Sequence, residues 1–355
     1  DLVGDLGKAV RAKGLKYAPS YHRERHPGFF ARDIYKVNSV PRPDIEKEIK
    51  REPGAVGLYG PFSYTDEFIK DYSMRWKEIQ DKYQPDFMRI YDIPIFYKDV
   101  GLDDPQARKF RDSFQSLIAD YFNADQACGK DVYLNNKGGH LNWPEGIGCR
   151  EKDNLKMDKI GPKWENPATM GTSYGYMKEE EAMDAYKSPN TLIQLLCDVV
   201  SKNGNLLRNI GPHADGTNPS GMQRRLLEMG RWLSVNGEAI YGTRCWHKFG
   251  EDPSPPQIDE SEHAKRLPYT PESIRYTTSK DRKNLYAIQL VQSKDKRCLA
   301  RSITPEMLDG QKIKRISFLG VDEKLNWELS EQGLEMKMDT SDRPFYAGVW
   351  KIEME

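Results

Sequence analysis

Asp92 is the residue whose position best suits chemistry. It closes the apolar run Phe87-Met88-Arg89-Ile90-Tyr91 and is followed by Ile93-Pro94-Ile95, which places it at a strand end facing a walled pocket. A strand-end aspartate more commonly caps a helix or sits solvated in a loop, so position alone does not make it a nucleophile. A partner carboxylate would. Common glycosidases set two carboxylates across the scissile bond, about 5–5.5 Å apart when configuration is retained. Candidates for the second are Glu145, Glu151, Asp153, Asp158 and Glu165, all read as lying on one long loop before the helix at Ser188. A general acid needs a setting that keeps it protonated near neutral pH, and residue pattern alone leaves these five undistinguished.

Other chemistries fit less well. His22 and His26 lie four apart just after a strand, but a metal site would need a third ligand and a helix to bring them together. A polar, substrate-facing loop is the better reading of Tyr21-His22-Arg23-Glu24-Arg25-His26. Asn203-Gly204-Asn205 and Asp215-Gly216 are glycine turns without the Lys-Ser/Thr that completes a phosphate loop. The five cysteines show no paired spacing, and their odd number completes no disulfide framework. Trp143, Trp164, Tyr174 and Tyr176 gather on the long loop, where core packing is the default and stacking against a sugar the functional alternative. No metal or organic cofactor is expected.

The elements that must position these residues alternate. Leu2, Val3, Leu6, Ala9 and Val10 recur at helical spacing and Gly14 stops the helix. Leu15–Tyr21 reads as a short strand. Phe68, Tyr72, Trp76, Ile79 and Tyr83 carry a second helix, Phe87–Asp92 a strand, and Asp104-Pro105 opens a third helix through Phe110, Phe114, Leu117 and Tyr121. Asp131–Asn135 is a strand. A helix from Ser188-Pro189 stops at Asn203-Gly204, the strand Asn205–Ile210 follows, and a last helix runs from Pro219 to Asn236-Gly237. Helices alternating with single strands predict βα units around a parallel sheet. Polar residues at the strand ends (Tyr21, Asp92, Asn135, Asn136, Asn209) would mark the catalytic face of a (β/α) barrel. Only about four βα repeats are visible against the eight strands of a closed barrel. N-terminal strands are therefore expected to be missing from this chain.

Composition changes at Asp252-Pro253-Ser254-Pro255-Pro256, a linker-like break. Beyond Leu267 short strands follow one another, including Ile274–Thr278, Leu285–Val291, Leu334–Met338 and Gly348–Ile352, as in an antiparallel sandwich. The predicted domains are thus a barrel portion over 1–252 and a β-sandwich over 265–355. Lys and Arg together number 54, as do Asp and Glu. With no net charge there is no basic footprint for nucleic acid or an anionic membrane, and no apolar run reaches the roughly 20 residues of a membrane helix.

One run is specific. Val200-Ser201-Lys202-Asn203-Gly204-Asn205-Leu206-Leu207-Arg208-Asn209-Ile210-Gly211-Pro212, with Ala214-Asp215-Gly216-Thr217 and Gly230 to Arg244, resembles the late-barrel signature of family 29 α-L-fucosidases. Trp164-Glu165, Thr169-Met170-Gly171 and Ser173-Tyr174-Gly175-Tyr176 are similar to another segment of that family, and Ile316–Gly320 to its β-sandwich. The resemblance implies an exo-acting, retaining α-L-fucosidase that releases terminal α-L-fucose from fucosylated glycans or fucosides. It implies Asp92 as nucleophile, reached from Tyr83-Gln84-Pro85-Asp86, and Glu151 as acid/base, with Glu165 as the fallback. Tyr21, His22, Lys137 and Trp164 would bind substrate, Trp164 as an aromatic wall. A homo-oligomer is compatible with this reading, and a secreted, periplasmic or lysosomal location follows from it.

The chain departs from the family in four respects. It carries no His-His pair before Leu15, Ile90 stands where a tryptophan is usual, Lys137 where an arginine is, and Arg208 where an aliphatic residue is. Lysine lacks arginine's two-pronged fork. These changes admit a different or substituted sugar as substrate, or a relative that binds carbohydrate without catalysis.

Overall fold

The first helix, α1 (Leu2–Ala12), is capped by Asp1, whose side chain accepts from the Gly4 amide. In chain order β1 (Ser20–Tyr21), the small hairpin β2 (Lys36–Val37) and β3 (Val40–Pro41), α2 (Asp66–Tyr83), β4 (Phe87–Tyr91), α3 (Pro105–Ala127), β5 (Tyr133–Lys137) and β6 (Ile147–Cys149) follow. This computed structural model describes residues 1–23, 36–37, 40–41, 65–91, 105–127, 129, 133–137, 147–149, 160–253, 269–323, 325–338 and 346–355. It forms two units, Asp1–Cys149 and Arg150–Glu355.

In the first unit, β1, β4, β5 and β6 run parallel in that order. Helix α2 starts where the Thr65 hydroxyl accepts from the Phe68 amide at 3.3 Å and stops at Gln84, whose φ of 44° is left-handed. Phe68, Tyr72 and Trp76 recur every four residues, so they share one buried face. They mesh with Phe110 and Phe114 of α3, ring centroids lying 5.1 Å apart for Tyr72–Phe110 and 6.0 Å for Trp76–Phe114. Met88 and Leu134, paired across β4 and β5, close this aromatic core from the sheet side. Arg11, at the end of α1, donates to the Tyr83 and Gln84 carbonyls at 2.9 and 2.8 Å, satisfying the C-terminus of α2.

The strand expected over Leu15–Tyr21 is paired only at Ser20 and Tyr21. Its earlier part is held differently: Asp86 accepts from the Tyr17 amide at 2.8 Å, and the Asp86 amide donates to the Tyr17 carbonyl at 2.9 Å. Asp86, the last residue of Tyr83-Gln84-Pro85-Asp86, therefore works as a clamp between two segments. Burial alone would raise its carboxyl pKa. The Tyr17 amide, then Lys16 and Arg11, outweigh that and hold it below the usual carboxylate range.

The second unit contains β7 (Trp164–Thr169), the short α4 (Lys178–Ala182), α5 (Pro189–Ser201), β8 (Gly204–Asn209), α6 (Ser220–Asn236) and β9 (Thr243–Glu251). Strands β10 (Ile274–Ser279), β11 (Asn284–Gln289) and β12 (Arg297–Ala300), the single turn α7 (Pro305–Leu308), and β13 (Ile313–Phe318), β14 (Leu325–Ser330), β15 (Gly333–Met338) and β16 (Gly348–Met354) complete it. Helix α5 links β7 to β8, which are parallel. Antiparallel strands follow in two sheets, β13-β16-β11-β10-β9 and β12-β15-β14. Ile274, Tyr276 and Trp350 of the first pack with Cys298, Leu334 and Met336 of the second in one buried cluster. The C-terminal residues thus form an antiparallel two-sheet arrangement, as the sequence predicts. Strand β9 pairs with β10, so the antiparallel sheet begins at Thr243, before the proline-rich break.

A buried ion cluster ties α5 to this sheet. Asp198 is inaccessible to solvent and accepts from Lys202 Nζ at 2.9 Å and Arg275 Nε at 2.6 Å. Arg275 Nη2 lies 3.0 Å from Asp252, and its guanidinium stands over the rings of Tyr269 and Phe249. Burial alone would raise the Asp198 pKa; the charge of Arg275, then of Lys202, overcomes this and lowers it. Removing one member leaves uncompensated charge in the interior, typically costing about 3–5 kcal/mol. Asp198→Ala should lower unfolding stability by that order in urea denaturation. Because the folded pKa is depressed, Asp198's contribution is present above the unfolded value near 3.8 and is lost as pH falls through the folded one. The penalty of Asp198→Ala should therefore be constant near neutrality and shrink only below about pH 4.

Candidate active site at the strand ends

In a parallel sheet with helical crossovers, ligand-facing residues gather where the strands end in their C-terminal direction. In the first unit those ends are Tyr21, Tyr91, Lys137 and Cys149. Asp92 and Glu151, the expected nucleophile and acid/base, lie outside the described residues, as do Glu145, Asp153 and Asp158. Strand β4 ends at Tyr91, and β6 ends at Cys149. Lys137 is the last residue of β5, in register with Tyr91 and with Cys149. Asn135, on the same strand, is buried.

Tyr21 and His22 part company. Tyr21 is buried in the aromatic core, its ring 5.0 Å from that of Tyr72 and 5.9 Å from that of Trp76. Its hydroxyl donates to the Tyr72 carbonyl at 3.1 Å. The expectation that Tyr21 lines a sugar pocket gives way to a packing role, because its side chain takes the helix face of the sheet. Successive residues of a strand point to opposite faces, which leaves Ser20 and His22 on the other side. They are exposed and joined by a 2.7 Å hydrogen bond between Ser20 Oγ and His22 Nε2. Arg23 follows, buried, and donates from Nε to Asp71 at 3.0 Å, which pins this turn to α2.

Trp164 and Glu165 are corrected too, since neither lies on a loop. They are the first two residues of β7. Trp164 is buried, its indole N–H donating to the Lys202 carbonyl at 2.8 Å. A Cβ on Gly204 would meet Trp164 Cε2 at 2.7 Å, so the indole fills space that only a glycine leaves open. At a rise of about 3.3 Å per residue both begin the strand roughly 13 Å or more before its C-terminal end. Trp164 is a core residue there, not an aromatic wall. Glu165 is also largely buried.

The C-terminal ends of β7 and β8 carry a denser network. Thr169 Oγ1 donates to the Gly171 carbonyl at 2.6 Å, and Lys187 Nζ donates to the carbonyls of Thr169 and Gly171 at 3.2 and 2.9 Å. The buried Glu180 accepts from the Thr172 amide at 2.5 Å and from its hydroxyl. A Cβ on Gly171 would strike that carboxylate, and one on Gly211 would lie 2.7 Å from backbone atoms of Gly175 and Tyr176. The loops after the two strands thus touch backbone to backbone. Asn209 Nδ2 joins them again through the Tyr174 carbonyl at 2.7 Å. The stretch Gly171–Gly175 spells the G-x-S-x-G of a serine elbow, but the Ser173 hydroxyl accepts from the Gly175 amide at 3.2 Å and meets no histidine among the described residues.

His213, Glu181 and Tyr176 form a cluster that sequence reasoning missed. His213 Nε2 lies 2.8 Å from Glu181 Oε2 and its Nδ1 2.8 Å from Thr217 Oγ1. The Tyr176 hydroxyl donates to the same Glu181 oxygen at 2.8 Å, and its ring meets His213 edge-on. The only sequence hint was a histidine directly after Gly211-Pro212. Hydrogen bonds from His213 and then Tyr176 hold the Glu181 carboxyl below its ordinary range. In turn the bond to Glu181, more than burial, raises the Tyr176 phenol. Among the described residues no group of three or more His, Cys, Asp or Glu side chains converges to hold a metal, and no helix is long and apolar enough to cross a membrane.

These features define an α/β protein with polar strand ends and a C-terminal antiparallel domain, and comparison with known proteins supplies the family. The family model "Alpha-L-fucosidase" matches residues 1–238, and "Alpha-L-fucosidase C-terminal domain" matches 268–354. The chain belongs to the α-L-fucosidase family. It is 38% identical over 255 residues to an α-L-fucosidase of Dictyostelium discoideum, a match covering 69% of this chain and 46% of that protein. To the plasma α-L-fucosidase of Rattus norvegicus it is 44% identical over 283 residues, covering 73% and 60%. The chain therefore spans about half the length of curated relatives it matches. Its fold is similar to that of the Thermotoga maritima α-fucosidase (TM-score 0.66, 23% identity, 99% of this chain and 68% of that one). It is likewise similar to α-L-fucosidase isoenzyme 1 of Paenibacillus thiaminolyticus (TM-score 0.67, 20% identity, 100% and 76%).

The Glu181 bond yields a direct expectation. Glu181→Gln should bring the Tyr176 phenol pKa down toward 10, seen as an earlier rise in ultraviolet phenolate absorbance. Subtracting the same titration of Tyr176→Phe isolates that tyrosine. An unchanged Tyr176 titration would mean that the bond does not persist in solution.

Proposed function

We propose that the protein is a retaining α-L-fucosidase acting on terminal α-L-fucose of glycans or simple fucosides. The observation that carries this reading is the pair of family matches covering residues 1–238 and 268–354. A Thermotoga maritima relative of the same fold has been solved with fucose. In its finer form the proposal is a (β/α) barrel whose catalytic residues stand at the strand ends.

Asp92 attacks the anomeric carbon as the bond to the aglycone oxygen breaks, and Glu151 gives its proton to that oxygen. The product is a covalent fucosyl-Asp92 ester. Glu151, now a carboxylate, takes a proton from water; the water attacks the anomeric carbon, releases fucose and frees Asp92. His22 and Lys137 lie at strand ends where they would meet sugar hydroxyls, and no cofactor takes part. Location in a secreted or lysosomal compartment is part of the proposal, supported by relatives named plasma and tissue α-L-fucosidases.

Ile90, Lys137 and Arg208, which depart from the family pattern, favour a substituted fucose as a second reading of substrate. The test is turnover of an aryl α-L-fucoside by the natural full-length protein, its Asp92→Gly variant and its Glu151→Ala variant. Loss of a nucleophile commonly costs several orders of magnitude in kcat. Azide should restore turnover in Asp92→Gly as a glycosyl azide, because it replaces the missing carboxylate. An Asp92→Gly variant as active as the parent would refute the assignment of the nucleophile. A parent inactive on fucosides but active on a sulfated fucoside would select the second reading.

A further inference from the structure

Arg208 is half-buried, and the Nε/Nη2 edge of its guanidinium has no partner. It lies on β8 in register with Ala168 of β7, and its side chain reaches the end of that strand. There Nη1 donates to the Ala168 and Thr169 carbonyls at 3.3 and 3.1 Å. Those bonds fix the guanidinium plane. Nε and Nη2 are shut off from solvent and have no hydrogen-bond partner, and among the described residues Arg208 makes no ion pair.

A guanidinium carries five N–H donors. The edge formed by Nε and Nη2 presents two of them side by side, the geometry that grips the two oxygens of a carboxylate, sulfate or phosphate. In Arg208 it is this edge that remains unpaired, while the opposite corner is anchored. Lys187 stands close by, with Nζ 3.2 Å from the same Thr169 carbonyl oxygen that Arg208 contacts. Lys187 thus lies at the anchored Nη1 corner, and the Nε/Nη2 edge belongs to Arg208 alone. Burial pushes the Arg208 pKa down to about 10. The guanidinium still carries its charge at neutral pH, with no carboxylate paired to it among the described residues.

We propose that the Nε/Nη2 edge of Arg208 is a binding site for an oxoanion, either free or carried as a sulfate ester or carboxylate on a saccharide. The alternative is a purely structural tie to the two carbonyls. That would account for Nη1 but leaves three N–H donors of Nε and Nη2 without a use, an arrangement that folded proteins rarely tolerate. The family's aliphatic residue at this position needs no such partner.

The test is thermal unfolding of wild type, Arg208→Leu and Arg208→Lys during titration with sodium sulfate, against sodium chloride at matched ionic strength. Wild type should show a saturable rise in unfolding temperature with sulfate and none with chloride. Arg208→Leu should lose that response, with apparent affinity weakened at least tenfold, and in sulfate-free buffer should unfold at a higher temperature than wild type because the stranded charge is gone. Arg208→Lys keeps charge without the fork and should respond weakly; it also serves as the comparison if Arg208→Leu does not fold. A second arm measures calorimetric binding of a sulfated fucoside and its unsulfated parent. Tighter binding of the sulfated sugar in wild type but not in Arg208→Leu identifies a sugar-borne ligand, and a sulfate response without that preference identifies a free one. A sulfate response identical in wild type and the Arg208 variants, or one that never saturates, overturns the proposal. None of these readouts requires hydrolysis, so they stand apart from the fucosidase assay.

Discussion

The carboxylate of Asp198, buried without access to water, is the constraint on which the second unit rests. A lone charge in that setting is untenable, so Lys202 one turn away and Arg275 from the antiparallel sheet must both come to it. Lys202 is in turn fixed at its backbone, where its carbonyl receives the Trp164 indole. One ion cluster thus sets α5 against β10, α5 sets the spacing of β7 and β8, and those strands carry the polar network at their C-terminal ends. The aromatic rings around Arg275 and Lys202 shield the cluster and add cation–π attraction.

Much of this architecture is legible in the sequence where periodicity is strong. Phe68, Tyr72 and Trp76 announce α2, Ser188-Pro189 announces α5, and the alternating Leu334–Met338 announces β15, each with a local physical signal. Strand β7 is hidden because Trp164-Glu165-Asn166-Pro167-Ala168-Thr169 has polar residues and a proline inside a fully buried strand. Burial on both faces abolishes the alternation that marks half-exposed strands. Strand β9 carries no such pattern, since all but one of its residues are exposed or only partly buried.

Side-chain direction was the least legible property. Tyr21 lies at a strand end, as a ligand-facing residue would, yet a shift of one position along a strand reverses the face. Its pairing with Ile90 places it with Met88 on the helix side, and the opposite face falls to Ser20 and His22. Trp164 misleads for another reason. Its flanking motif is specific to the family, but a motif identifies a segment and not the end of the strand it occupies. Arg208 stands out as a departure from the family pattern, and only the geometry shows that its forked edge is the part left unpaired. The cluster of His213, Glu181 and Tyr176 depends on two loops meeting at Gly211, which no local pattern encodes.

The proposed hydrolysis requires a covalent intermediate at Asp92. The most direct measurement is intact-protein mass spectrometry after exposure to a 2-deoxy-2-fluoro fucosyl fluoride, followed by peptide mapping. The fluorine slows both steps, and the good leaving group lets the first proceed, so the ester accumulates. The predicted result is a mass increase of one fluorofucosyl unit per chain, located on Asp92 and absent in Asp92→Gly. Labelling at another carboxylate, or turnover of fucosides with inverted configuration and no labelled species, would contradict it.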